Sequence, residues 1–372
     1  KAEFVEHFCQ GIHFQASSVL RAGCFRKGNK IINCTPQTDS YVCPFQMYIV
    51  LIFLFSLCSK VGSASVNITS IKFLRDPDEI TSNGNHFKLG FFSPPNSTNR
   101  YVGIWYNTNS DALEVVWVAN KENPLKGSSG VFRLSEDGNL QVLDGQNKVF
   151  WSSNLSHDNA SNSSVAYLQD TGNLVLYSNK RGGIIWQSFQ HPTDTLLPKM
   201  RNGVYQDTNK RHEVVRSWKS PSDPSSGRFT IGMTPRRPAE GFVWDNGRPY
   251  WRTGPWNGNF FIGLPRMYYW VLIHGFTLQN DHKGLPTLMF SSEDPAVMDH
   301  YVLTHDGVVL HKEWNKTNRN WDILWKSIDS DCDVYGKCGP FGICNPREPR
   351  MCRCLEGFEP TNYEHDDLVT EK

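Results

Sequence analysis

The chain has 372 residues, and its 38 basic and 37 acidic side chains leave a formal net charge of +1. This balance excludes the strong positive field with which proteins attract nucleic acid or an anionic membrane, so no nucleic-acid partner is expected. Aromatic residues make up 13% of the chain. Short apolar runs separated by turn residues predict an all-β fold.

The first recognisable element is an apolar run at 48–58 (YIVLIFLFSLC), which is too short to span a bilayer. It follows Met47 and precedes small residues ending at Ala64, an order that indicates a secretory signal peptide over 47–64. The run lacks the basic residue that usually precedes such a segment, and a buried pair of strands is the alternative. Residues 1–46 have no clear period and are interpreted as non-native upstream sequence.

Asn-x-Ser/Thr sequons agree with a secreted, N-glycosylated chain. Three of them fall within 154–164, a polar stretch that is expected to form an exposed loop. The sequon asparagines are Asn67, Asn96, Asn154, Asn159, Asn162 and Asn315.

An internal repeat follows. Residues 134–153 and 168–188 share Gly-Asn-Leu, a short β run, a turn and an apolar pair before Trp. A weaker third copy lies at 87–106. One such hairpin cannot bury its apolar face alone, so the repeat predicts three small sheets around a pseudo-threefold axis. The tryptophans predicted at the centre are Trp105, Trp151 and Trp186.

Three small sheets around a threefold axis resemble the β-prism of bulb-type, mannose-binding lectins, whose sugar motif is Q-x-D-x-N-x-V-x-Y. The resemblance implies that Gln, Asp and Asn of the motif bind sugar hydroxyls and that Tyr closes the site. The second repeat places Gln169, Thr171, Asn173, Val175 and Tyr177 at the motif positions. Thr171 replaces the Asp, and losing that charged acceptor should cost roughly 1–3 kcal/mol.

The first repeat matches the sugar motif at only two positions. Its residues are Ser135, Asp137, Asn139, Gln141 and Leu143. The alternative for both copies is that these residues serve only the geometry of the turn. Asp170 is expected to point to the face opposite Thr171.

Longer segments resemble the ectodomains of plant G-type (bulb-type) lectin S-receptor-like serine/threonine-protein kinases and S-locus glycoproteins. The matching segments are 115–125, 186–198, 217–229 and 250–258. The resemblance implies a bulb-type lectin domain over 66–190 and a second, prism-like S-locus glycoprotein domain over 191–327. A small, incomplete EGF-like module is expected over 328–366.

A cysteine cluster marks the module and predicts a disulfide framework. Its members are Cys332, Cys338, Cys344, Cys352 and Cys354. The family pairing implies Cys332–Cys344 and Cys338–Cys352, with Cys354 unpaired until a partner beyond the sequence given. No metal is expected, because C-x-C spacing in a secreted chain disfavours zinc and the Glu or Gln usual in calcium-binding modules is missing.

No catalytic residue and no cofactor are expected. The sequence has none of the kinase motifs, neither a glycine-rich loop with V-A-I-K nor H-R-D nor D-F-G; in the family the kinase lies C-terminal to such a region. His305 and His311 lie six apart in a β region, which favours a surface position for both.

The expected function is extracellular recognition in a plant receptor, at the outer face of the plasma membrane or in secreted form. The expected ligand is an extracellular protein, peptide or small molecule, in recognition of pollen or in defence signalling, and a homodimer is compatible with this role. A mannose-type lectin and a non-signalling wall glycoprotein are the alternatives.

Overall fold

The computed structural model describes residues 67–69, 72–110, 112–156, 164–204, 214–235, 237–264, 275–280, 284–292, 294 and 297–360. The predicted upstream segment and signal peptide, with the sequon residues Asn159 and Asn162, lie outside these residues. Within them, helix is confined to two short 3-10 turns, Ser188–Gln190 and Asp331–Asp333. The all-β prediction is therefore confirmed. Across the same ranges, no helix has the length and apolarity needed to cross a bilayer.

Twelve strands build the first domain. They are β1 (Leu74–Arg75), β2 (Glu79–Thr81), β3 (Phe87–Phe92), β4 (Asn99–Tyr106), β5 (Val115–Val118), β6 (Leu125–Lys126), β7 (Val131–Leu134), β8 (Leu140–Leu143), β9 (Val149–Ser152), β10 (Ser164–Leu168), β11 (Leu174–Ser178) and β12 (Gly183–Gln187). They form three antiparallel sheets in the orders β1-β7-β8-β9, β2-β3-β4-β5 with β6 beside β4, and β10-β11-β12. Each sheet buries one face in a shared core, as the repeat predicted.

Three tryptophans, one from each sheet, meet at the centre of this prism. Trp117, Trp151 and Trp186 contact one another edge to face, with ring centroids 5.8 to 6.0 Å apart. Edge-to-face pairs contribute beyond their buried area. The prediction that Trp105 belongs here was wrong, because Trp105 packs in a separate cluster with Phe92.

The strand register explains that error. The backbone bond from Ala119 N to Val102 O has the same place in its sheet as the bond from Ser153 N to Leu140 O. Trp105 therefore matches Leu143 of the first repeat, not its tryptophan. The signal for Trp117 was present in the sequence, since an apolar pair precedes it as in the other two copies.

Ten strands build the second domain. They are β13 (Thr195–Leu196), β14 (Val215–Ser220), β15 (Asp223–Met233), β16 (Glu240–Asp245), β17 (Arg248–Pro255), β18 (Thr277–Asn280), β19 (Pro286–Met289), β20 (Asp299–Leu303), β21 (Val309–Asn315) and β22 (Asn320–Lys326). Their sheets have the orders β13-β20-β21-β22, β14-β15-β16-β17 and β18-β19. The three sheets enclose two apolar clusters, both contacted by Leu264, and their number matches the three sheets of the first domain.

The link between the two domains, residues 193–196, makes hydrogen bonds with both of them. Thr193 Oγ1 donates to Val116 O in the first domain at 3.4 Å. The next residues form β13, which pairs with β20 in the second domain, and Leu303 N donates to Asp194 O at 2.8 Å. The segment that joins the domains is therefore hydrogen-bonded to both of them.

The small C-terminal module consists of β23 (Gly342–Cys344) paired with β24 (Cys352–Cys354). Disulfides join Cys332 to Cys344 and Cys338 to Cys352, the pairing that the resemblance implies, and Cys354 is a free thiol. Tyr335 N donates to Tyr250 O of β17 at 2.7 Å, so the module is attached to the second domain.

Candidate functional site

The Q-x-D-x-N-x-V-x-Y positions of the second repeat lie on the β10–β11 hairpin. Gln169 N donates to Asn173 O at 2.9 Å, and Gly172, with φ of +82°, donates to Gln169 O. The first repeat makes the same turn with Ser135, Gly138 and Asn139. Glycine accepts this left-handed conformation without strain, so the shared Gly-Asn pair is explained by the turn.

The side chain of Asn173 is largely used inside the protein. Its Nδ2 donates to Gln187 Oε1 at 2.8 Å, and its Oδ1 accepts bonds of 3.2 Å from Ser188 Oγ and Phe189 N. These bonds hold the end of β12. An amide nitrogen has two N–H groups, so only one remains for a ligand.

The first repeat repeats this arrangement. Asn139 Oδ1 accepts from Ser153 Oγ at 2.9 Å and from Leu155 N at 2.7 Å. The same bonds in a copy that matches the sugar motif at only two positions indicate that the asparagine stabilises the hairpin in both.

The other motif positions offer little open surface. Val175 is fully buried, whereas Gln169, Thr171 and Tyr177 are half-buried. Asp170 points away from them, and its Oδ1 accepts from Gly84 N at 2.5 Å. The carboxylate beside Thr171 therefore does not replace the missing Asp of the motif.

A cluster of charged side chains connects the two domains, and no sequence feature predicted it. Glu114 Oε1 lies 2.9 Å from His300 Nε2 and 2.7 Å from Lys312 Nζ. Burial alone would raise the pKa of Glu114, but hydrogen bonds and charge from His300 and Lys312 lower it to about 2. We call Glu114, His300 and Lys312 the seam cluster.

His311 lies next to the seam cluster and is fully buried, so the expectation of a surface position was wrong; His305 is exposed. The His311 ring stacks on Tyr301 with centroids 4.3 Å apart, and its Nε2 lies 3.2 Å from Asp299 Oδ2. On the alternating pattern of β21, position 311 faces the core.

A cleft of about 860 Å³ opens between the domains, which is within the range of small-molecule sites. Phe150 and Trp151 of the first domain line it, together with His191 of the segment that leads into the second domain and Arg201 and Thr287 of the second domain. A smaller cavity of about 370 Å³ lies among apolar side chains of the second domain. None of the five motif residues of the second repeat lines either space.

One group of potential metal ligands is found in the part of the chain that the structure describes. It consists of Cys338, Cys344 and Cys352. All three sulfurs are in disulfides, and metal binding by cysteine needs the thiolate. The proximity of these sulfurs is thus explained by the disulfides.

Comparison with known proteins agrees with this architecture. The family model described as D-mannose binding lectin matches residues 114–219, and the one described as S-locus glycoprotein domain matches 251–362. The G-type lectin S-receptor-like serine/threonine-protein kinases At1g11300 and SD1-13 of Arabidopsis thaliana are 41% and 39% identical over 78% and 85% of this chain. The chain belongs to this plant family.

The chain spans 35% and 38% of the length of these two relatives, and its matched domains include no kinase domain. It corresponds to the lectin and S-locus glycoprotein part of an S-domain receptor kinase. Among solved structures, a monomeric mannose-binding lectin from Gastrodia elata matches 33% of this chain and 96% of its own, at 21% identity and a TM-score of 0.26.

The link segment of this S-domain ectodomain carries a buried acid. Burial raises the pKa of Asp194 to about 7, although hydrogen bonds from Thr195 and Thr193 act to lower it. The folded chain therefore keeps a proton on Asp194 up to about pH 7, whereas the unfolded chain releases it near 3.8. Because the folded state binds more protons in this window, the contribution of Asp194 to stability falls as the pH rises through it.

We expect the free energy of unfolding to fall by roughly 2–4 kcal/mol between pH 5 and pH 8, which should lower the melting temperature by several degrees. Asp194→Asn should remove most of this slope. Glu114 does not contribute in the same range, since its lowered pKa affects stability only below about 4.5. Melting followed by circular dichroism at both pH values measures the difference, and parallel curves for wild type and variant would contradict it.

Proposed function

We propose that this chain is the ligand-binding ectodomain of an S-domain receptor kinase, secreted through the signal peptide at 47–64 and exposed outside the cell. Its ligand is an extracellular protein, peptide or small molecule other than mannose. The observation that carries the proposal is the engagement of Asn173 in hydrogen bonds that hold its own hairpin. The sugar motif is thereby used for folding.

The seam cluster supports a receptor role in a second way. It ties the first and second domains together through one half-buried carboxylate that contacts both a histidine and a lysine. A partner that touches both domains therefore meets one preorganised surface, which lowers the cost of binding. Recognition by a peptide-like ligand is expected to map to the loops of 200–330.

In the intact receptor, ligand binding would bring kinase domains together, in recognition of pollen or in defence signalling, and pairing of ectodomains is part of this proposal. The test fuses the ectodomain to the membrane and kinase segments of a relative and measures autophosphorylation in response to extracellular fluid. Exchange of the 200–330 loops with that relative should change which fluid activates. Unchanged activation after the exchange would contradict the role of these loops, and no saturable response at all would favour the wall glycoprotein.

Mannose binding is the second candidate, because Gln169 and Tyr177 of the motif are still partly exposed. We expect titration of the secreted protein with mannose and a mannose glycan array to show no saturable binding. The informative variant is Gln169→Ala with Tyr177→Ala. Asn173→Ala is unsuitable, since it removes hydrogen bonds of the fold. Saturable mannose binding that this double variant abolishes would make the chain a mannose lectin.

A further inference from the structure

The cleft between the domains has a glycosylation sequon on its rim. Asn154 lines the cleft, is exposed, and begins Asn-Leu-Ser. Its φ is +51°, a left-handed conformation that asparagine tolerates. Its backbone N–H donates to Ser152 Oγ at 3.3 Å, and the backbone N–H of the next residue, Leu155, donates to Asn139 Oδ1 at 2.7 Å. The attachment point is therefore held in a fixed place beside the cleft.

The walls of the cleft suit a carbohydrate. Phe150 and Trp151 are half-buried and lie four and three residues before Asn154. His191 stacks on the Trp186 ring with centroids 5.3 Å apart. Sugars have apolar C–H faces that pack on aromatic rings and hydroxyl edges that need hydrogen-bond partners.

Polar partners lie on the remaining walls. Asn123 is exposed in the first domain, and Arg201 is exposed where the second domain begins. Among the residues that the structure describes, the guanidinium of Arg201 takes part in no hydrogen bond or ion pair. A guanidinium carries five N–H donors in a planar fork, so it has free capacity for hydroxyl and N-acetyl oxygens.

We propose that the N-linked glycan of Asn154 folds back into this cleft. Its first N-acetylglucosamine residues pack on Phe150 and Trp151, and their oxygens accept hydrogen bonds from Arg201 on the opposite wall of the cleft. The glycan then serves as a covalently attached filler that joins the two domains. This inference rests on the proposed secretion, because N-glycans are added in the secretory route.

Asn96 provides a matched control. It is also exposed, begins Asn-Ser-Thr, and has a φ of +57°. It lies between β3 and β4 and does not line the cleft. The two asparagines thus share backbone conformation and exposure, and they differ in what surrounds the attached sugar.

The experiment treats the native secreted glycoprotein with a peptide-N-glycosidase that accepts plant glycans, and follows each site by mass spectrometry. We expect release at Asn154 to be at least about tenfold slower than at Asn96, the factor that ~1.4 kcal/mol of protection gives. After denaturation both glycans should leave at the same rate. Arg201→Ala should speed release at Asn154 and leave Asn96 unchanged.

A second measurement does not depend on the enzyme. Ser156→Ala removes the Asn154 sequon and should increase the quenching of tryptophan fluorescence by iodide. Two controls should leave the quenching unchanged: Ser156→Thr, which keeps the Asn154 sequon, and Thr98→Ala, which removes the Asn96 sequon. Equal release rates at the two sites with unchanged quenching overturn the proposal. An unmodified Asn154 beside a glycosylated Asn96 overturns it as well, and a chain without glycan at any sequon overturns the proposed secretion too.

Discussion

Glu114→Ala is expected to lower the free energy of unfolding by roughly 3 kcal/mol, because its removal leaves a buried imidazole and a half-buried ammonium without their hydrogen-bond acceptor. His300 is fully buried and Lys312 is partly buried, and both lose their carboxylate. The expected measurement is urea unfolding of the secreted protein at pH 7. Separation of the domains should also make the seam accessible, which limited proteolysis would detect.

The control for this result is Glu79→Ala. Glu79 forms an ion pair with Lys88 at 2.9 Å, and their side chains are 40% and 32% exposed. Ion pairs this exposed contribute at most about 1 kcal/mol to the free energy of unfolding. Equal destabilisation by the two variants would show that the seam cluster has no special role in joining the domains.

Trp117→Ala is expected to lower the free energy of unfolding by about 3–5 kcal/mol, the usual loss for a buried tryptophan. Trp117 is 5% exposed, and its Nε1 donates to His191 O at 2.8 Å. The variant therefore removes a central contact of the prism and a bond to the residues that lead into the second domain. Chemical unfolding of both proteins under the same conditions measures the difference.

A milder pair of variants tests which tryptophans form the centre. Coupled rings in edge-to-face contact give a near-UV circular dichroism signal, so Trp117→Phe should reduce it much more than Trp105→Phe. Trp105 packs against Phe92 in another cluster. If Trp105→Phe caused the larger loss, the assignment of the central triad would be wrong.

The fold was readable from the sequence because its information is local and repeated. Gly-Asn turns, alternating apolar residues and the apolar pair before Trp occur in the two copies at 134–153 and 168–188. Together with the weaker copy at 87–106 they predicted three small sheets around one axis. Trp105 was misplaced because adjacent tryptophans on β4 and β5 compete for the same assignment. The apolar pair before Trp117 favours it over Trp105, and the strand register, in which Val102 matches Leu140, decides the assignment.

The seam could not be read from the sequence for a physical reason. Glu114 and its partners are 186 and 198 residues apart, and the elements between them have no pattern that fixes their mutual distance. The burial of His311 depends on the same long-range packing. Likewise, the motif match at Asn173 was visible, but the three bonds that occupy its side chain require the folded hairpin.

The link at 193–196 has a mechanical consequence. The Thr193 hydroxyl donates to Val116 O in the first domain, and β13 pairs with β20 in the second. The seam cluster joins the same two domains in parallel with the link. Tension applied between the first domain and the C-terminal module is then shared by the hydrogen bonds of the link and by the seam cluster, and not borne by the covalent chain alone. Under load the two domains should move as one rigid body, and the ectodomain should lengthen little until one of its domains unfolds.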